Sequence, residues 1–166
     1  SARNVGLDMA ASEWVFFCDA DDYLPINALK YLYENTDKSD YVIGGVSCLC
    51  TCNQYIPEKH LWPGDSGDFL ESQMLRLYCI TAWGKLYNRK VVGSLRFNEH
   101  FTVSEDLDFN WRYMLLVNSI SFVNEVVYCY FDNSAPNKYR LNYHSYLYGR
   151  DNLMATLNCY KEKFSF

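Results

Sequence analysis

Three carboxylates within four residues, Asp19-Ala20-Asp21-Asp22, follow directly on the apolar run Trp14-Val15-Phe16-Phe17-Cys18. Like charges packed that closely repel one another, and a bound cation relieves the repulsion. Mg²⁺ and Mn²⁺ take hard oxygen ligands, commonly one or two carboxylates together with the phosphates of a substrate, and the Asp19-x-Asp21 spacing supplies such a pair. The competing reading is that Asp21 and Asp22 cap a helix entered near Pro25, because Asp is common in turns and at helix starts. A second acidic pair, Glu105-Asp106, opens a segment of helical periodicity, where exposed amides and the helix dipole favour negative charge. On the residues alone, that pair reads first as helix-start acids.

These groups need a scaffold. The uninterrupted aromatic and β-branched run 14–18 suits a strand covered on both faces, as in parallel α/β sheets. Residues 3–11 have helical composition, and Ile26, Leu29, Leu32 and Tyr33 recur at helical spacing after Pro25. The acidic cluster therefore falls at the carboxyl end of a buried strand, the place where open α/β sheets bind ligands. Residues 41–52 read as a further strand, 57–68 as a loop, 69–78 as a helix and 83–87 as a short strand. After a turn near Gly93, Leu107, Trp111, Met114 and Leu115 are spaced i, i+4, i+7 and i+8, a helix with one buried stripe. Residues 120–123 and 126–131 read as a strand pair broken at Asn124-Glu125, followed by a polar loop and a closing helix over 143–160.

A chain of 166 residues, 49% hydrophobic and 21% charged, has apolar surface for one core, so residues 1–166 are expected to form a single domain. The net charge of -5 leaves no basic field for a nucleic-acid partner. The apolar runs at 14–18 and 114–117 are far shorter than the roughly 20 residues of a membrane-spanning helix. Seven cysteines, an odd number, fit a reduced, cytoplasmic setting better than a disulfide framework, and no leader pattern opens the chain.

The order Ser1-Ala2-Arg3-Asn4-x-Gly6, then the apolar strand, then Asp19-Ala20-Asp21-Asp22-Tyr23-Leu24 resembles the central signature of family 2 glycosyltransferases. The resemblance continues through Trp83-Gly84-Lys85-Leu86-Tyr87, Arg96-Phe97 and Ser104-Glu105-Asp106-Leu107-Asp108-Phe109, and so covers nearly the whole chain. It implies a GT-A fold, an α/β architecture with an incomplete Rossmann-like mixed sheet flanked by helices. It further implies a DxD motif in which Asp21 ligates Mg²⁺ or Mn²⁺ and Asp19 lies nearer the ribose or the metal's waters. Arg3 becomes a contact to the nucleotide, and Asp106, with Glu105 as alternate, becomes the general base that takes the acceptor's proton. Trp83 and Lys85 would line the donor or acceptor pocket; equally, they read as a core aromatic and a solvated charge. The implied reaction is metal-dependent, inverting transfer from a nucleotide-diphosphate sugar, by default a UDP-sugar, to a saccharide or lipid-linked acceptor in surface polysaccharide biosynthesis.

By the same resemblance, a nucleoside-binding strand and loop would precede Ser1, so the chain reads as the C-terminal two-thirds of such a domain. The sheet edge left open would favour a homo-oligomer, and the full-length protein would sit in the cytoplasm or peripherally at the inner face of the membrane. Two other readings compete: a non-catalytic binding module, and a haloacid dehalogenase-type phosphatase, whose strand also ends in Asp-x-Asp but which wants Thr or Val where Tyr23 stands. Cys48-x-Cys50-x-Cys52 reads as a strand face with side chains pointing one way, not as a zinc site. His60, His100 and His144 are scattered, with His144 the first choice for a third metal-side ligand. Asp132 stands where the family often has Arg.

Overall fold

The computed structural model describes residues 1–37, 39–57, 81–101 and 104–131. Helix α1 spans Ala2–Met9, strand β1 Trp14–Phe16, helix α2 Ala28–Tyr33, strand β2 Tyr41–Cys48 and strand β3 Gln54–Tyr55. Strand β4 spans Lys85–Asn88, followed by the single turn α3, Arg89–Val92, helix α4, Glu105–Met114, and strand β5, Ile120–Tyr130. The expected helices over 69–78 and 143–160, most of the 57–68 loop, His60, His144 and Asp132 lie outside the described residues.

One mixed sheet organises these elements. Strand β2 pairs antiparallel with β4 on one edge, β4 pairs antiparallel with β1, and β5 lies parallel along the other edge of β2. Among the described residues the run at 14–18 has an antiparallel ladder partner, not a parallel one, and Trp14, Val15 and Phe16 are half-buried. The aromatic run reported apolar surroundings correctly, but strand direction depends on which segment returns beside it, and a local run carries no such information.

The side chains of β2 alternate between two cores. Tyr41 and Ile43 join Leu7, Phe17, Tyr87, Phe97, Phe109 and Tyr113 on the face covered by α1 and α4. Val42 and Val46 join Ala28, Leu32, Leu86, Val127 and Tyr128 on the face covered by α2. The first core is largely aromatic: Phe97 stacks on Phe109 at 4.0 Å, and Phe17 meets both rings edge-on. Such ring pairs add about 0.5–1.5 kcal/mol each beyond area burial.

Of the four apolar residues at helical spacing, helix α2 buries only Leu32. Ala28 and Leu32, one turn apart, pack on the sheet, whereas Ile26 is 99% exposed and Leu29 and Tyr33 also lie in solvent. Both stripes satisfy helical spacing, and the smaller Ala28 permits the close approach to β5. The two expected strands over 120–131 are one strand, with Asn124 and Glu125 accommodated in an irregularity between the Gly44–Val123 and Gly45–Val126 pairs. Gly44 allows this approach, since a Cβ there would lie 2.3 Å from a methyl carbon of Val127. Strand β2 stops at Cys48, so Cys50 and Cys52 are exposed in the following turn and do not extend its face.

Candidate functional site

An open cleft of about 1060 Å³ runs along β1 and past its carboxyl end, lined by Arg3, residues 14–20, residues 97–99, Phe101 and Glu105. At its floor Arg3 joins three carboxylates far apart in sequence. One guanidinium nitrogen donates to Asp19 Oδ1 at 2.8 Å, and the other donates to Asp106 Oδ1 at 2.7 Å and to Glu105 Oε1 at 3.4 Å. The pairing holds Arg3 against its neighbours: burial works against its charge, but Asp106, Asp19 and Glu105 outweigh that and raise its pKa.

Arg3 is held in place through α1. The Asn4 side chain makes a two-way pair with the Phe97 backbone, accepting from its N–H at 2.8 Å and donating to its carbonyl at 2.9 Å. Asp8 binds the Arg96 guanidinium, and Arg112 on α4 donates to the Arg96 carbonyl at 2.8 Å. Residues 96–97 therefore tie α1 to α4, which is what brings Arg3 and Asp106 to hydrogen-bonding distance.

Asp106 occupies the first turn of α4, as expected for a helix-start acid, yet its side chain is only 18% exposed. Its Oδ2 accepts from the Ala82 N–H at 3.0 Å, so both oxygens are oriented. Burial raises its pKa, opposed by Arg3 and by the Ala82 amide. A carboxylate offers about four lone-pair sites, so acceptor capacity remains for a substrate proton. Glu105 has twice the exposure, 36%, and touches Arg3 only at the longer distance.

One turn along α4, Asn110 donates to the Thr81 carbonyl at 2.6 Å and accepts from the Tyr87 hydroxyl at 2.6 Å. Helix α4 thus grips the 81–84 segment at two points. Lys85 completes the grip from below: its ammonium donates to the Thr81 and Trp83 carbonyls at 2.6 and 3.0 Å, and the residue has no exposed surface. Lys85 is not a solvated charge. Trp83 is buried, with its ring stacked on Tyr128 at 4.6 Å and on Tyr130 at 5.1 Å. Neither residue lines the cleft described above.

The acidic cluster divides its labour. The Asp19 N–H donates to the Tyr128 hydroxyl at 2.9 Å, while Tyr128 donates to Asp22 Oδ2 at 2.6 Å and the Phe131 N–H donates to Asp22 Oδ1 at 3.0 Å. Asp22 therefore fastens the turn to β5. It does not cap α2, whose N-cap is Asn27 and has no side-chain cap bond. Asp21 is exposed and takes no part in these bonds. Among the described residues no three His, Cys, Asp or Glu side chains converge as a ready-made metal cage. Mg²⁺ and Mn²⁺ are commonly held by one or two carboxylates with substrate phosphates completing the shell, and exposed Asp21 and half-exposed Asp19 are oxygen donors of the type that mode uses. His100 is exposed.

Against known proteins, the family model described as glycosyl transferase family 2 matches residues 1–96. The chain belongs to that family. Among curated relatives it is 26% identical over 145 residues to glycosyltransferase GlyA of Streptococcus pneumoniae, and 24% identical over 155 residues to the cholesterol galactosyltransferase of Borreliella burgdorferi. These matches take in 78% and 79% of the family 2 chain but only 20% and 41% of the relatives, so the chain spans well under half of their length. Among solved structures, S. aureus TarS 1–349 in complex with UDP superposes with a TM-score of 0.66 at 20% identity, covering 93% of this chain and 44% of that one. The same protein with UDP-GlcNAc gives 0.62 over 96% and 52%. These superpositions show the GT-A fold expected from the sequence. The phosphatase alternative is set aside by the family match. No helix among the described residues is long and apolar enough to cross a membrane.

Sequence reasoning picked out Arg3, Asp19, Glu105 and Asp106, and the structure brings those four together. It missed Asn110 and Tyr128. Asn110 stands one helical turn beyond Asp106 on the same face, a spacing visible in the sequence once the helix is granted. Tyr128 carried no local signal beyond belonging to an aromatic strand.

Proposed function

We propose that the protein carrying this chain is a metal-dependent, inverting glycosyltransferase that moves a sugar from a nucleotide-diphosphate donor, a UDP-sugar, to a hydroxyl of a saccharide or lipid-linked acceptor. The observation that carries the reading is the Arg3 bridge, which unites the acid after β1 with the acid pair that opens α4, at a cleft lined by Arg3, Asp19 and Glu105. TarS complexes with UDP and UDP-GlcNAc on the same fold support the choice of donor.

In this reading Asp106 accepts the proton of the acceptor hydroxyl as its oxygen attacks the anomeric carbon, and the nucleoside diphosphate leaves from the opposite face in a single displacement. Burial that raises the Asp106 pKa brings it nearer to working pH, where a general base is most effective. Arg3 keeps Asp106 ionised and oriented, and offers its charge to the donor phosphates. Asp21, with Asp19 beside it, would hold Mg²⁺ or Mn²⁺, which when bound supplies Lewis-acid stabilisation of the departing diphosphate. Surface polysaccharide assembly on the cytoplasmic side of the membrane is the setting proposed for the full-length protein.

The test is calorimetric titration of UDP into the full-length protein with and without Mn²⁺, beside Asp21→Ala. Metal-dependent binding that disappears in the variant is the expected result. Binding indifferent to both the metal and Asp21 would remove the donor site from this end of the sheet.

A further inference from the structure

Tyr128 is a fully buried phenol that the chemistry above does not use. Its hydroxyl is nonetheless bonded on both sides to the acidic turn, accepting from the Asp19 amide at 2.9 Å and donating to the Asp22 carboxylate at 2.6 Å. Its ring lies flat against Trp83, with centroids 4.6 Å apart and planes 6° from parallel, and Trp83 belongs to the segment gripped by α4. The same Asp22 carboxylate takes the Phe131 N–H, while Tyr23 exchanges two backbone bonds with Cys129. The bonds run from 2.6 to 3.1 Å, and together they bracket Asp21 between anchored neighbours.

We infer that Tyr128 and Asp22 form a positioning clamp that sets the Asp19–Asp21 turn before donor and metal arrive, linking it to the 81–84 segment beside Asp106. The inference rests on the donor reading given above. Residue type and geometry both favour it. A phenol donating to a carboxylate makes a charge-assisted bond, stronger than a neutral one. A turn of three carboxylates left unanchored would rearrange to separate its charges, and metal binding would have to order it again.

The decisive variant is Tyr128→Phe in the full-length protein, which keeps the ring stack and removes only the hydroxyl. Hydrogen exchange of the peptide covering residues 18–23 is expected to accelerate about tenfold, and UDP affinity in the presence of Mn²⁺ to weaken by a similar factor, the scale of one or two lost hydrogen bonds. Donor KM should rise while kcat at saturating donor stays within about threefold, because chemistry on the ordered complex is unchanged. Asp22→Ala should reproduce the effect without altering the core, and Asp22→Asn, whose single oxygen serves the Tyr128 hydroxyl or the Phe131 N–H but not both, should also weaken the clamp. Wild-type exchange at residues 18–23 in Tyr128→Phe, or faster exchange with unaltered UDP affinity, would overturn the clamp. Failure of the unsubstituted protein to bind UDP with Mn²⁺ would instead overturn the donor reading, and the positioning role would fall with it.

Discussion

Asp106→Asn tests the chemistry at the point where two acids compete for one role. The substitution keeps the shape and leaves Arg3 its bonds to Asp19 and Glu105. The new amide can present its oxygen either to Arg3 or to the Ala82 N–H, not to both, so one of the bonds at 2.7 and 3.0 Å becomes a donor facing a donor. That costs about 1–3 kcal/mol of stability. Against it stands the relief of a buried charge, since burial already raises the Asp106 pKa, and the net change in unfolding free energy should be small. Catalysis has no such offset. A general base is worth about 10²–10⁴-fold, and kcat for transfer from a radiolabelled UDP-sugar should fall by that factor, roughly 3–5 kcal/mol of barrier. Donor KM should hold within about threefold, because the lost interaction belongs to the transition state. Glu105→Gln, more exposed and 3.4 Å from Arg3, should cost less than about tenfold. A larger kcat loss in Glu105→Gln than in Asp106→Asn would reassign the base. Near-wild-type turnover in Asp106→Asn would refute base catalysis from this helix altogether.

Removal of the Arg3 charge in Arg3→Gln takes away an influence that lowers the Asp106 pKa and leaves burial unopposed by it, so the acid limb of kcat/KM should move to higher pH; an unmoved limb would show that Asp106 does not govern it. The sign for stability follows from the same raised pKa. Between the unfolded and folded pKa values of Asp106 the native state binds more protons, so this group's contribution favours folding below the unfolded value and is lost as pH rises to the folded one. Denaturant melts of wild type and Asp106→Asn across that interval should converge at low pH and separate in favour of Asn as pH rises, and a gap independent of pH would contradict the assignment. Gly44→Ala places a methyl 2.3 Å from the side chain of buried Val127 and should lower stability by about 1–3 kcal/mol, with part of the loss recovered in Gly44→Ala/Val127→Ala; strict additivity in chemical denaturation would show that the two side chains do not meet.

The helix that opens at Glu105 and the acidic turn after an apolar strand were both readable from residue order, because helical periodicity and charge density are local properties. The family follows from motifs that keep their order along the chain, and the family match over residues 1–96 agrees. Local pattern went astray where two solutions satisfied it equally. Of Ile26, Leu29, Leu32 and Tyr33, all at helical spacing, only Leu32 is buried, together with Ala28, and the proximity of β5 decides which side of the helix is covered. The direction of β1 and the continuity of β5 through Asn124-Glu125 likewise depend on partners 70 to 82 residues away, in β4 and β2.

The sequence by itself determined which side chains carry charge, in what order, and hence the kind of chemistry available. It could not say that Arg3 would spend its guanidinium on Asp19, Glu105 and Asp106 together, that Lys85 would be buried under Thr81 and Trp83, or that Asp22 would reach across to Tyr128. Those are contacts between segments 16 to 106 residues apart, apart from the Lys85 grip, and each exists only because the sheet closes and places a polar group where water has been excluded. A buried charge or hydroxyl must find a partner or forfeit its solvation, and which partner it finds is settled by the packing of the whole fold.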